Sequence, residues 1–329
     1  MSSPIKIEII NQDATKFAVD VLVLKYAQAN YGLDNYITHI LTTNGFKETE
    51  LRPKKGGYRF VNNVKGLSPK NILIVGVESL YDFRYQEIRE FSCKALTALA
   101  SSAPDIATVA LTIHGANYGL DEYEAFESEL AGLIDAIQSL DYPPKLKKIS
   151  ILEINIGRYR RLTRLLKELI PNGLISTNNL GASQSKIKET LETAGAASGK
   201  KDHIFVAMPF KDDMDDTYYY GIEKPIRDAG YLCERADLSS FVGDVMLWVR
   251  ERIKTSKLVV AEVTDANPNV YLEVGYAWGC GVPTILLVKD PQNLKFDVRG
   301  QRCLPYSKIK DLERLLKNEI VNLKEKRVI

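Results

Sequence analysis

The sequence predicts an α/β protein built as two domains. Three observations lead there. Apolar runs of strand length alternate with longer stretches of helical periodicity, the order that gives a parallel or mixed sheet layered with helices. A chain of 329 residues exceeds one domain of ordinary size. Between Gly173 and Lys201 the composition shifts to Asn178-Asn179, Gly181, Ser183, Ser185 and Gly195-Ala196-Ala197-Ser198-Gly199, which reads as a linker. The expected plan is a first domain over 1–172, a linker over 173–201 and a second domain over 202–329.

In the first domain, Ile5 to Ile10 alternates apolar and polar residues and reads as an edge or half-buried strand. Val19 to Leu24 is nearly all apolar, the composition of a central strand. A helix is expected over Asp34 to Thr43, with strands at Tyr58 to Val61 and Asn71 to Val75. Arg84 to Ser101 puts Ile88, Phe91, Ala95, Leu96 and Leu99 on one helical face. A strand over 108–113, a helix over 121–140, a strand over 148–153 and a helix over 158–170 complete the domain. A short helix fits 185–194 inside the linker.

In the second domain, the apolar strand His203 to Ala207 runs into Met208-Pro209-Phe210. A helix over 214–229 stops at Gly230, a normal helix end. A strand at 231–235 leads to Asp237. Ser240 to Thr255 is amphipathic through Val242, Val245, Val249 and Ile253. Strands over 257–263 and 282–288 and a final helix over 309–323 follow. Four parallel strands with intervening helices imply a flavodoxin-like doubly wound sheet, which binds ligands at the carboxyl ends of its strands.

The totals narrow the functional classes. Apolar residues make up 45% and charged residues 26%, as in soluble globular proteins. A net charge of +2 gives no electrostatic case for nucleic acid or an anionic membrane. No apolar run reaches the length of a membrane span, and Met1 to Ile10 lacks a signal-peptide pattern, so a cytoplasmic location is expected. Cys93, Cys233, Cys280 and Cys303 are widely separated and the three histidines are scattered. Neither a disulfide framework nor a metal centre is expected, and no cofactor.

The stretch with most chemical content is Asn267-Pro268-Asn269-Val270-Tyr271-Leu272-Glu273-Val274-Gly275-Tyr276-Ala277. Asn267 suits the N-cap of a helix and Pro268 its first position. Val270, Val274, Ala277 and Gly281 mark one face, and small residues at 275, 277, 279 and 281 would let it lie close to a sheet. Glu273 falls one residue off the apolar stripe near the helix start, where the helix dipole favours its ionised form. There it can stabilise or attack an oxocarbenium ion as an N-glycosidic bond breaks. It can equally be a surface glutamate. Met208, Pro209, Phe210, Arg235, Asp237, Asn267 and Asn269 fall at the same expected sheet edge and are candidate substrate-binding residues, though turn, packing and capping roles also account for them.

Two stretches of the first domain invite a ligand. One is Asn11-Gln12-Asp13-Ala14-Thr15. The other is His114-Gly115-Ala116-Asn117-Tyr118-Gly119-Leu120-Asp121-Glu122, a glycine-bearing turn between strand and helix that offers backbone N–H groups to a phosphate. Asp121, Glu122 and Glu124 compete for that helix end as capping residues, and a lone His114 also fits a structural role.

The Asp13-Ala14-Thr15 turn, the following Asp20-Val21-Leu22-Val23, Asn30 and Gly32 resemble the opening of a macro domain and of the related N-terminal domain of leucyl aminopeptidases. The resemblance implies a three-layer fold that binds ADP-ribose-type nucleotides, with Asp13 at the adenine and the turn at His114, Gly115, Asn117, Tyr118 and Gly119 as further ligand residues. The family's asparagine-rich segment after the second strand is here Lys25-Tyr26-Ala27-Gln28, which points to a ligand sensor rather than to removal of ADP-ribose from proteins. The second domain's Val206-Ala207-Met208-Pro209-Phe210, Arg235, Asp237 and the 267–277 segment resemble TIR-like and nucleoside 2-deoxyribosyltransferase-like domains. That resemblance implies a catalytic Glu273, sugar contacts from Asp237 and base stacking by Phe210. Asn269, where the deoxyribosyltransferase pattern has aspartate, favours NAD as substrate. The joint plan is similar to bacterial antiphage effectors, implying a signal-activated, homo-oligomeric NAD glycohydrolase. A nucleoside N-glycosidase or deoxyribosyltransferase, or a non-enzymatic nucleotide-binding adaptor, are the alternatives.

Overall fold

Strands form in the first half of the chain where apolar side chains alternate or run together. The computed structural model describes all residues except 1–2, 117, 177–184, 210, 236–244 and 294–300. Two units result: Met1–Ala116 with Glu122–Gly199, and Asn117–Asp121 with Lys200–Ile329. Both are α/β, as the alternation of elements implied. Among the described residues no helix is long and apolar enough to cross a membrane.

The first unit runs β1 (Ile5–Ile10), β2 (Val21–Tyr26), α1 (Gly32–Thr43), β3 (Tyr58–Val61), β4 (Asn71–Gly76), α2 (Tyr85–Ser102), β5 (Thr108–Thr112), α3 (Glu122–Gln138), β6 (Lys148–Leu152), α4 (Ile156–Leu169), β7 (Leu174–Ile175) and α5 (Ser185–Thr193). Its sheet has the order β3-β4-β2-β5-β6-β1-β7. Inner pairs are parallel, and the edge strands β3 and β7 are antiparallel to their neighbours. All six residues of β2 are buried, as a central strand requires. It begins two residues later than the apolar run, because Asp20 is drawn out of the ladder. The Asp20 carboxylate accepts from the N–H groups of Ala107 and Thr108 and pairs with Lys70. It also runs two residues further, taking in Lys25, whose buried ammonium lies 2.7 Å from Asp34.

The stretch 173–201, expected to be a linker, carries β7 and α5, and its residues up to Gly199 group with the first unit. Arg89 on α2 explains part of this. Its Nε and Nη2 fork onto Asp135 at 2.6 and 2.8 Å, while Nη1 donates to the carbonyls of Glu192 and Ala194 at 2.9 and 2.6 Å. A guanidinium thereby satisfies carbonyls at the carboxyl end of α5 that the helix itself leaves open. Arg89→Ala is expected to cost about 2–3 kcal/mol, since it strands Asp135 and those carbonyls together. Hydrogen exchange should show α5 amides losing protection before those of β2.

The second unit runs β8 (His203–Ala207), a π-helical stretch (Thr217–Glu223), α6 (Lys224–Asp228), β9 (Leu232–Glu234), α7 (Val245–Thr255), β10 (Leu258–Glu262), α8 (Pro268–Gly279), β11 (Thr284–Val288), β12 (Cys303–Pro305) and α9 (Ile309–Glu325). The five strands are all parallel in the order β12-β11-β10-β8-β9. That is the flavodoxin-like order, with its switch point between β8 and β10. Alternation along β10 splits the core. Leu258 and Val260 pack with Ile222, Ile226 and α9, whereas Val259 and Ala261 pack with Val249, Val270, Val274 and Ala277. The single helix expected over 214–229 is instead widened and then regular. Pro225 accounts for this: it has no N–H to donate and its ring crowds the carbonyl four residues back, so the preceding turns open. The fifth strand, β12, is three residues long and was not expected.

Candidate functional site

The carboxyl ends of β8, β9 and β10 lie side by side. Ala207 pairs with Ala261, so Met208, just past β8, and Glu262, the last residue of β10, come level at this edge. Met208 and Pro209 are buried there, and Arg235 follows β9 with its guanidinium 4.4 Å over the Tyr218 ring. After β10 the chain turns through Ala266, which adopts a left-handed φ of 49°, into α8. The Asn267 side chain accepts from the Asn269 N–H at 2.9 Å, and Pro268 takes the first helical position. Asn269 itself is exposed. Asn267→Ala is expected to destabilise the second unit by about 1 kcal/mol, read as a lower chemical-denaturation midpoint with unchanged slope.

Glu273 projects from the second turn of α8 and is 7% exposed. It is not the solvated surface glutamate that periodicity also allowed. Burial alone raises its pKa to about 8. The ionised form expected from the helix dipole is therefore outweighed: removing a carboxylate from water costs more than the first turn's partial charge returns. Val270, Val274 and Ala277 form the buried stripe. Of the small residues expected to allow a close approach, Ala277 is buried with Val259 and Ala261 of β10, whereas a Cβ at Gly275, Gly279 or Gly281 would meet nothing within 4 Å. Phe210 and Asp237 lie outside the described residues.

A second carboxylate at this edge was not singled out from the sequence. Glu262 ends β10 fully buried, and burial raises its pKa. Its Oε1 accepts from the hydroxyls of Thr264 and, at 3.2 Å, Tyr306, while Oε2 has no partner among the described residues. The signal that could have found it is an acidic residue inside an otherwise apolar strand.

Of the residues expected to hold a signal ligand, Asp13, His114 and Gly115 belong to the first unit. Asp13 caps the turn Ala14–Lys16, accepting from the Thr15 N–H at 2.9 Å and its hydroxyl at 2.7 Å, and those bonds lower its pKa. His114 is buried with Nδ1 2.9 Å from Glu129 Oε2, which also accepts the His114 N–H at 3.1 Å. The Phe91 ring meets its imidazole edge-on at 4.5 Å. Burial, and then the charge of Lys25, push the His114 pKa well down, so the ring is neutral, and burial pushes Glu129 up. Gly115 and Gly119 have φ of 84° and 91°. His114 and Gly115 belong to the first unit; Tyr118 and Gly119 group with the second, where a Cβ on Gly119 would stand 1.9 Å from Trp248. Asn117 lies outside the described residues. The acidic residues beside the turn are engaged: Glu122 by Arg158 and Arg161, Glu124 by Ser198.

No family model and no curated protein matches this sequence. Among solved structures the chain is similar to the CMP N-glycosidase BcmB of Clostridium botulinum, at 20% identity over 36% of this chain and 99% of that one, with a TM-score of 0.31. It is similar to the Oceanobacillus iheyensis macrodomain with MES bound, at 18% identity over 50% of this chain and 92% of that one, with a TM-score of 0.40. The macrodomain of Thermus aquaticus DarG follows at 13% identity, 45% and 97% coverage and a TM-score of 0.34.

Proposed function

We propose that the second unit hydrolyses the nicotinamide N-glycosidic bond of NAD, with Glu273 as the catalytic carboxylate. We read the first unit as sensing an ADP-ribose-type nucleotide, in the manner of antiphage effectors. The observation that carries the reading is a buried carboxylate just beyond the switch point of a flavodoxin-like sheet, with no hydrogen bond or ion pair among the described residues to compensate it. A carboxyl group held this way is characteristic of a site that titrates near its working pH. In the reaction, the C1′–N bond breaks with its electron pair moving into the pyridinium ring, and neutral nicotinamide leaves. Glu273 stabilises the ribosyl cation, water adds to C1′, and its proton passes to solvent. A cationic ring bound beside Glu273 draws its pKa down, so the substrate itself generates the carboxylate.

The test is release of nicotinamide from NAD by purified protein, with and without ADP-ribose, across pH 5–9. With a carboxylate at work, kcat/KM rises about tenfold per pH unit and levels off near the Glu273 pKa of about 8. A protonated Glu273 donating to the neutral base of a nucleoside gives the opposite limb, falling above that pH. This second reading is favoured by the same raised pKa, and a nucleoside mixture in place of NAD separates the two. Tight nucleotide binding without turnover of either substrate would leave the adaptor reading.

A further inference from the structure

A cavity of about 630 Å³ opens in the first unit between α2, the end of β4 and the turn before β3. Its size suits a small molecule. None of Asp13, His114, Gly115, Tyr118 or Gly119 lines it. Val75, Val77 and Phe91 supply apolar wall. The charged lining comprises Glu78, Glu87, Glu90 and Asp135 against Lys55, Arg89 and Lys94. Arg89 is committed to Asp135 and the end of α5, so no guanidinium is available to a phosphate. At the mouth, the exposed Lys55 ammonium sits 2.6 Å from Glu78, and Glu90 and Glu87 act on the same charge. Glu87 accepts from the Arg84 N–H at 3.0 Å and Glu90 from Gln86 Nε2 at 2.9 Å, so neither carboxylate has a cation as its hydrogen-bond donor there, and Lys94 lies 6.0 Å over the Tyr58 ring.

We propose that this cavity binds an organic cation carrying amino groups on an apolar stem, of the aliphatic polyamine class, and that the Lys55 ammonium occupies the place of one of its ammonium groups. The carboxylates Glu78 and Glu90 hold the ligand's charge, and the stem lies along the apolar wall. A nucleotide would bring its phosphates against these glutamates, so the site is distinct from the nucleotide sensor proposed above and is tested by binding, independently of turnover.

The experiment is isothermal titration of the full chain with spermidine at low salt, for wild type, Lys55→Ala and the double variant Glu78→Gln/Glu90→Gln. Removing Lys55 removes an internal competitor and is expected to tighten spermidine about threefold or more. The double variant is expected to weaken it about tenfold, with its fold checked by circular dichroism. Adding ADP-ribose is expected to leave the affinity unchanged. Absence of binding in wild type and Lys55→Ala, unchanged or weaker binding in Lys55→Ala, undiminished binding in a folded double variant, or displacement by ADP-ribose would each overturn the proposal. If the double variant does not fold, the Lys55→Ala result decides alone.

Discussion

Glu273→Gln is expected to lower nicotinamide release about 10²–10³-fold, and in the same variant to abolish a pH dependence of folding. The second effect follows from proton counting. Glu273 titrates near pH 8 in the folded chain and near 4.5 when unfolded. Between those values the folded state binds more protons, so wild-type stability falls as pH rises. The slope is roughly 1.4 kcal/mol per pH unit, and the loss is complete above the folded pKa. Summed over the window this is on the order of 5 kcal/mol, which glutamine does not incur. Both tryptophans, Trp248 and Trp278, belong to the second unit, so their fluorescence follows its unfolding. The difference in stability between variant and wild type should grow from pH 5 to pH 8 and then flatten. A constant difference would mean that Glu273 ionises as freely as in water, and the buried-carboxylate mechanism would fail with it.

Gly132→Ala is expected to destabilise the first unit by about 3 kcal/mol, lowering its melting temperature by roughly 6–12 °C. On helix propensity alone the sign would be reversed, since alanine favours a helix by about 1 kcal/mol over glycine. Packing decides the outcome. A Cβ at Gly132 would stand 2.0 Å from the Arg89 carbonyl oxygen and 2.4 Å from Ser92 Oγ, so α3 must move away from α2. The nearer obstacle is backbone, so adding Ser92→Ala should not restore stability. A variant that melts at or above the wild-type temperature would show that the two helices have room to part.

How far the sequence could be read depended on how local each cause was. Asn267-Pro268 and the Val270–Ala277 stripe specify α8 within a dozen residues, and the structure has that cap and that face. The central strand was evident from its apolar run, but its ends were not. Asp20 and Lys25 are settled by Ala107, Thr108 and Asp34, partners that no window around the strand contains. The stretch 173–201 reads as a linker because glycine, serine and asparagine dominate it, whereas β7 pairs with β1 and the end of α5 is held by Arg89, partners about a hundred residues or more earlier. The helix dipole favours an ionised Glu273 locally, and burial, a tertiary property, overrides it. Glu262 was counted as part of a strand, and nothing in its neighbours announced that Tyr306 would reach it.

The position of β1 has a consequence for synthesis. Its ladder partners are β6 on one side and β7 on the other, the first of which begins at Lys148. At about 5–20 residues per second, Ile5, Ile7 and Ile9 leave the ribosome on the order of 10 s or more before a neighbour exists for them. Through that interval a strand with an apolar face and two open edges is available to any passing chain. Crowding of nascent chains is therefore expected to reduce the yield of the first unit more than that of a domain whose strands pair with neighbours close in sequence.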